Sequence, residues 1–129
     1  MKALVVGGAG ATGPPIIDGL LKRGYDVVVL HRGVHESGLH DNLEHIHADP
    51  HWKEDIARAL ERRSFDLVVA IYGRLRYIAE NLLGKTPRLI SVGGALPIYK
   101  GWMAVTEANP WEHMEPTPLP LEEDHPLSR

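Results

Sequence analysis

A chain of 129 residues with 43% hydrophobic and 24% charged residues has the makeup of one domain with a real core, and it is short for two. Its net charge of −3 gives no reason to expect a nucleic-acid surface, and no apolar run is long enough to cross a membrane. The absence of cysteine excludes disulfides, thiolate nucleophiles and cysteine-based zinc sites; with Met1-Lys2 leading straight into a strand, no signal peptide is read and the expected compartment is the cytoplasm.

The first predicted strand covers residues 2–7, and its apolar run feeds Gly7-Gly8-Ala9-Gly10-Ala11-Thr12-Gly13. A strand, a glycine-rich turn and a helix in this order form a seat for a pyrophosphate. The first helical turn has N–H groups without intrahelical partners and the positive end of the helix dipole. A bulky side chain there would hold the phosphates away, so glycine is what the geometry requires. The helix is predicted to begin near Gly10–Ala11, which places Pro14 and Pro15 in its first turn, where a missing N–H breaks no helical bond. The N–H groups of Ala11, Thr12 and Gly13 are then left for phosphate. Ile16, Ile17, Leu20 and Leu21 keep helical spacing up to Gly24, a natural stop.

Further strands are predicted at 26–31, 44–48, 66–71 and 88–92. All but 44–48 are short aliphatic runs without clean alternation, as suits a parallel sheet covered on both faces. Helical spacing recurs in 52–63 through Ile56, Ala57 and Leu60, and in 75–83 through Ile78, Ala79, Leu82 and Leu83, ending at Gly84. Alternating strand and helix predicts right-handed crossovers and an α/β fold, a doubly wound parallel sheet of the Rossmann type with about five strands, over residues 1–106. From 107 to 129 the prolines and the acidic Glu122-Glu123-Asp124 leave no period, which predicts a Pro-rich loop or tail. Trp102, Met103 and Trp111 read as core or tail anchors; covering an apolar pocket or a subunit contact is their other reading.

The next diagnostic position is the end of the second strand. A carboxylate there accepts hydrogen bonds from the adenosine ribose, whereas an arginine accommodates a 2′-phosphate, about 20 residues past the motif. The chain reads Val29-Leu30-His31-Arg32-Gly33 at that separation and has no carboxylate there. A guanidinium matches phosphate geometry in a bidentate way, so NADP(H) is expected in preference to NAD(H). A solvated surface arginine is the other reading. His31 offers a second phosphate donor or is a loop histidine. Asp49, after the third strand, meets the adenine or N-caps a helix opening at Asp49-Pro50, and one residue can do both. Ala70, Ile71, Tyr72 and Gly73 end the fourth strand beside the expected ribose and nicotinamide path, a placement that rests on position alone.

His45, His47 and His51 around Asp49 carry metal-type donors, but the spacing matches no established zinc pattern and no metal site is assigned. Arg58, Arg62 and Arg63, mixed with Glu54 and Glu61, read as a solvated helix face. Ser91 lacks the near-side glycine of a nucleophile elbow, so no Ser-His-Asp arrangement is argued.

Together these residues resemble the short-chain dehydrogenase/reductase superfamily, in its extended or atypical branch of NAD-dependent epimerase/dehydratase-like proteins. Gly7, Gly10 and Gly13 match the Gly-x-x-Gly-x-x-Gly turn, and Arg32-Gly33 resembles members with an Arg-Gly pair at that strand end. Asp49 matches the aspartate after the third strand, Phe65-Asp66-Leu67-Val68-Val69 the fourth strand, and Leu89-Ile90-Ser91-Val92 the fifth. The resemblance covers about residues 1–100, and 118–126 is similar to the acidic, proline-rich stretch before the family's catalytic tyrosine. It implies a catalytic hydroxyl at Ser91, or at Gly93, which has none, depending on alignment.

The Tyr-x-x-x-Lys pair that the resemblance calls for is absent. Four residues after Tyr25, Tyr72, Tyr77 and Tyr99 stand Val29, Arg76, Asn81 and Met103. The family's enzymes are far longer than this chain, which implies the amino-terminal part of a longer reductase or epimerase, binding cofactor without turnover. A non-catalytic dinucleotide-sensing regulator or interaction module is the rival from another class. RNA binding is a third reading, which the net negative charge opposes. The expected partners are NADP(H), with NAD(H) second, an unknown small-molecule substrate, and a second copy of the chain through an exposed sheet edge; neither nucleic acid nor membrane is expected.

Overall fold

Alternation along each strand sends even-numbered residues to one face of the sheet and odd-numbered residues to the other, and here both faces are apolar and covered. In this computed structural model, which describes residues 1–34 and 42–93, the elements in chain order are β1 (Lys2–Val6), α1 (Gly13–Lys22), β2 (Asp26–His31), β3 (Glu44–His47), α2 (Lys53–Leu60), β4 (Leu67–Ala70), α3 (Leu75–Leu82) and β5 (Leu89–Ser91). The described strands form one parallel sheet in the order β3-β2-β1-β4-β5. Leu4, Val6, Val28, Leu30, Val68 and Ala70 pack against Ile56 and Leu60 of α2 and Ile78 and Leu82 of α3. Ala3, Val5, Val27, Val29, Leu67 and Val69 pack on the other face against Ile17 and Leu20 of α1. Each fully buried aliphatic side chain contributes about 1.5–3 kcal/mol, so the sheet centre carries the fold.

The doubly wound sheet agrees with the sequence, and the pattern over 44–48 does form a strand. The differences lie at the ends. β1 stops at Val6 because Gly7 takes a φ of +89°, outside strand geometry. α1 begins at Gly13, not near Gly10–Ala11, because the Gly13 N–H first bonds the Gly10 carbonyl at 2.9 Å and closes a turn. Pro14 and Pro15 still fall in the first helical turn, where their missing N–H groups break no helical bond. After α1, Gly24 turns the chain with a φ of +79°, and the Tyr25 N–H returns to the Leu20 carbonyl at 3.1 Å. α2 ends at Leu60, so Arg62 and Arg63 lie beyond it. The expected boundary at 106/107, the Pro-rich tail and Trp102, Met103 and Trp111 lie outside the described residues. No helix among the described residues is long and apolar enough to cross a membrane.

Beyond α2, Arg63 reaches back to hydrogen-bond Glu44 on β3, and Lys2 lies 3.3 Å from the same carboxylate. The Arg63 hydrogen bond, with Lys2 adding to it, holds the Glu44 carboxyl below its ordinary range. A depressed folded pKa means that the pairing stabilises the fold above the carboxyl's unfolded pKa and is lost as pH falls through the folded one. Glu44 is 43% exposed, so solvent screens most of the effect. Glu44→Gln is expected to cost less than about 1 kcal/mol at neutral pH and nothing in acid, read from urea melts at the two pH values.

Candidate functional site

In an open parallel sheet the ligand crevice lies beyond the carboxyl ends of the strands, where the strand order reverses. That point here is the end of β1, which has β2 on one side and β4 on the other. Three glycines of the turn after β1 serve different purposes. A Cβ on Gly7 would stand 2.2 Å from the Tyr72 Cβ, and one on Gly13 would stand 1.8 Å from the Gly8 carbonyl oxygen. The chain itself forbids a side chain at both. Around Gly10, no atom of the described residues other than its chain neighbours lies within 4 Å of the missing Cβ. Gly10 instead lines a cleft of about 240 Å³ with Gly7, Ala9, His31, Arg32, Val34, Ile71 and Tyr72.

The donors at the turn differ from the sequence expectation in one respect. The Gly13 N–H is spent on the Gly10 carbonyl, so it is not left for phosphate. Pro14 and Pro15 have no N–H to offer. Of the expected trio, Ala11 and Thr12 have N–H groups with no backbone partner among the described residues, and both residues are exposed.

Across the cleft, the guanidinium carbon of Arg32 lies 5.3 Å from the centre of the Tyr72 ring. His51 meets the same ring edge-on at 4.7 Å. Asp49 fixes His51, its Oδ1 accepting from the His51 backbone N–H at 3.0 Å and pairing with the ring Nδ1 at 2.9 Å. These bonds, the backbone one foremost, hold the Asp49 carboxyl below its usual range, with the Arg32 charge adding to the effect. Asp49 does not N-cap α2, whose cap is Trp52 without a side-chain bond. The helix starts later because residues 49–52 are already a turn: the Asp49 carbonyl accepts from Trp52 at 3.1 Å, and the Pro50 carbonyl accepts from Arg74 at 2.9 Å.

His31 is buried, 4% exposed, and both its ring nitrogens are engaged inside the protein: Nδ1 with the Gly33 N–H at 3.1 Å, Nε2 with His45 Nδ1 at 2.8 Å. Of the residues expected after the fourth strand, Ile71 and Tyr72 reach the cleft. Ala70 faces the other way, into the core beside α2 and α3. Ser91 ends β5, exposed, and is not among the cleft residues. Among the described residues no three histidines or carboxylates are placed to hold a metal ion.

Three site residues have no role in the sequence reading of the cleft. His51 carried a signal, since an Asp whose side chain bonds the backbone two residues on is a common turn device. Gly8 packs helix on strand: a Cβ there would lie 2.9 Å from Val29 and 3.0 Å from Ile17. Val34 comes to the cleft only through the fold.

A parallel sheet of this order, with a glycine-rich turn and a cleft at its switch point, is a Rossmann-type domain. The NAD dependent epimerase/dehydratase family model matches residues 3–86, and the chain belongs to that family. Among solved structures it is similar to the UDP-Glc/GlcNAc 4-epimerase of Campylobacter jejuni, with a TM-score of 0.67 and 18% identity over 84% of this chain and 42% of that one. It is similar also to the UDP-glucose 4-epimerase of Thermotoga maritima, with a TM-score of 0.66 and 19% identity over 78% and 40%. The UDP-glucose 4-epimerase of Thermus thermophilus, solved in complex with NAD, gives 0.62 and 23% over 85% and 44%. The chain therefore spans less than half the length of each of these three proteins. No curated protein matches its sequence.

Proposed function

We propose that this chain is the NADP(H)-binding domain of a reductase, dehydrogenase or epimerase-like protein. The observation that carries the reading is Gly10, a bare backbone that the fold does not require, opening onto a cleft with Arg32 beside it. The cradle fits a dinucleotide. Ala11 and Thr12, which follow Gly10, offer N–H groups for a pyrophosphate, and Arg32 offers a planar cation for a 2′-phosphate. Ile71 and Tyr72, expected beside the ribose and nicotinamide path, here give an apolar wall on the adenosine side. At about 240 Å³ the cleft is smaller than the roughly 300–1,000 Å³ of whole small-molecule sites, which suits it to the adenosine half of the cofactor.

When bound, the nicotinamide supplies hydride transfer to or from a carbonyl or alcohol carbon. The chain's own part is to bind and orient. The 129 residues contain no Tyr-x-x-x-Lys, so binding without turnover is expected of them. The UDP-sugar epimerases among the similar structures make nucleotide sugars the first substrate class to test in a longer protein.

The test is a calorimetric titration of the 129-residue chain with NADPH and, in parallel, NADH. NADPH is expected to bind at least about tenfold more tightly, the worth of one charge-assisted hydrogen bond. No heat with either cofactor would overturn the reading.

A further inference from the structure

The end of β2 is held by a pair of imidazoles on neighbouring strands, and the bond from Gly33 decides which His31 nitrogen accepts. The Gly33 N–H donates to His31 Nδ1 at 3.1 Å, so that nitrogen holds a lone pair. The His31 proton is therefore on Nε2, which lies 2.8 Å from His45 Nδ1. His45 Nδ1 must accept, which places the proton of the neutral His45 ring on its own Nε2. The rings are also locked mechanically. His31 meets His45 edge-on at 5.1 Å and His47 edge-on at 4.9 Å, and the Ala48 N–H bonds the His31 carbonyl at 3.0 Å.

Arg32 sits inside this arrangement. Its preceding residue is pinned to β3 through the imidazole pair, and its following residue is pinned to the same imidazole. Gly33 has a φ of +76°, a conformation glycine leaves at little cost, and its N–H is tied to the His31 ring. We propose that His31 and His45 are positioning residues for Arg32: the relay His45–His31–Gly33 fixes the Arg32 backbone beside the cleft and so sets the selectivity for a 2′-phosphorylated dinucleotide. This rests on the reading of Arg32 given above.

The test replaces His45, which lies outside the cleft. His45→Phe keeps a flat ring against His31 and removes the acceptor, while His45→Gln restores an acceptor in its amide oxygen. His45→Phe is expected to weaken NADPH binding by about tenfold and NADH binding by less than about twofold. His45→Gln is expected to retain most of the NADPH preference. In the ligand-free wild-type chain, nitrogen spectra of the histidine rings are expected to show Nδ1 of His31 unprotonated and Nε2 protonated. Should His45→Phe fail to fold, His45→Leu takes its place, and the ring spectrum of the wild type stands by itself.

Equal weakening of both cofactors, or unchanged NADPH affinity, would overturn the relay while leaving the NADP(H) reading intact. A proton on His31 Nδ1 would do the same. Equal affinity of the wild-type chain for NADPH and NADH would overturn the selectivity of Arg32 and the positioning role with it.

Discussion

Gly13→Ala is expected to be among the most damaging single changes in the described domain. The added Cβ would stand 1.8 Å from the Gly8 carbonyl oxygen and 2.3 Å from its carbon, both backbone atoms. A flexible side chain could swing away, but these atoms belong to the turn that joins β1 to α1. Relief requires moving the helix off the sheet, where Ile17 and Leu20 are buried. Overpacking against rigid atoms costs about 3 kcal/mol at the upper end of its usual range, which corresponds to a fall of roughly 12 °C or more in Tm for a domain of this size. The control is Gly10→Ala, whose Cβ would meet no atom of the described residues within 4 Å apart from its chain neighbours. It is expected to stay within about 0.5 kcal/mol of wild type in stability. Its NADPH affinity, in contrast, is expected to fall about tenfold or more as the methyl enters the cleft. Thermal melts and titrations of the two variants separate these effects. If Gly10→Ala destabilised as much as Gly13→Ala, or left binding untouched, the cleft would not be the cofactor site.

Arg32→Ala is expected to abolish the NADPH preference. Removing charge-assisted bonds to a phosphate loses about 1.5–3 kcal/mol, a roughly 10- to 150-fold weakening, while NADH, which has no 2′-phosphate, changes little. Stability changes less, because the contact that Arg32 makes with the Tyr72 ring is exposed and worth about 0.5–1 kcal/mol. The wild-type preference is also expected to shrink with added salt, as an exposed ion pair is screened. Parallel titrations at low and high salt check both statements. A variant that keeps its preference for NADPH would move the 2′-phosphate away from Arg32.

Most of the sheet was legible because two-sided burial writes itself into the sequence as unbroken aliphatic runs, in β1, β2 and β4 above all. The glycine turn was legible for a different reason: glycine spacing after a strand is a local signal, and the contacts that exclude a side chain at Gly13 come from within the same turn. What the sequence left open depends on partners from elsewhere in the chain. Asp49 was a fair N-cap candidate, since the same side chains open helices and close turns. The decision fell to Pro50, whose carbonyl is taken by Arg74 from the next crossover. At the end of its strand His31 reads as a phosphate donor or a loop histidine; its engagement with His45 depends on strand register, which local spacing does not reveal. The spacing puts Ala70 at the end of a strand, but only the parity of the packed sheet sends it to the core while Ile71 turns to the cleft.

Pro14 and Pro15 in the first turn of α1 have a consequence for how a ligand arrives. Each proline narrows the backbone choices of the unfolded chain, and the Gly13–Gly10 hydrogen bond closes the turn with no ligand needed. The ordering entropy that a slack phosphate loop would lose on binding is therefore met during folding. A turn shaped in advance has no closing step to wait for. If the chain binds a dinucleotide as proposed above, association is expected to need no rearrangement of this turn, and stopped-flow rates are expected to follow ionic strength with no slow phase from it.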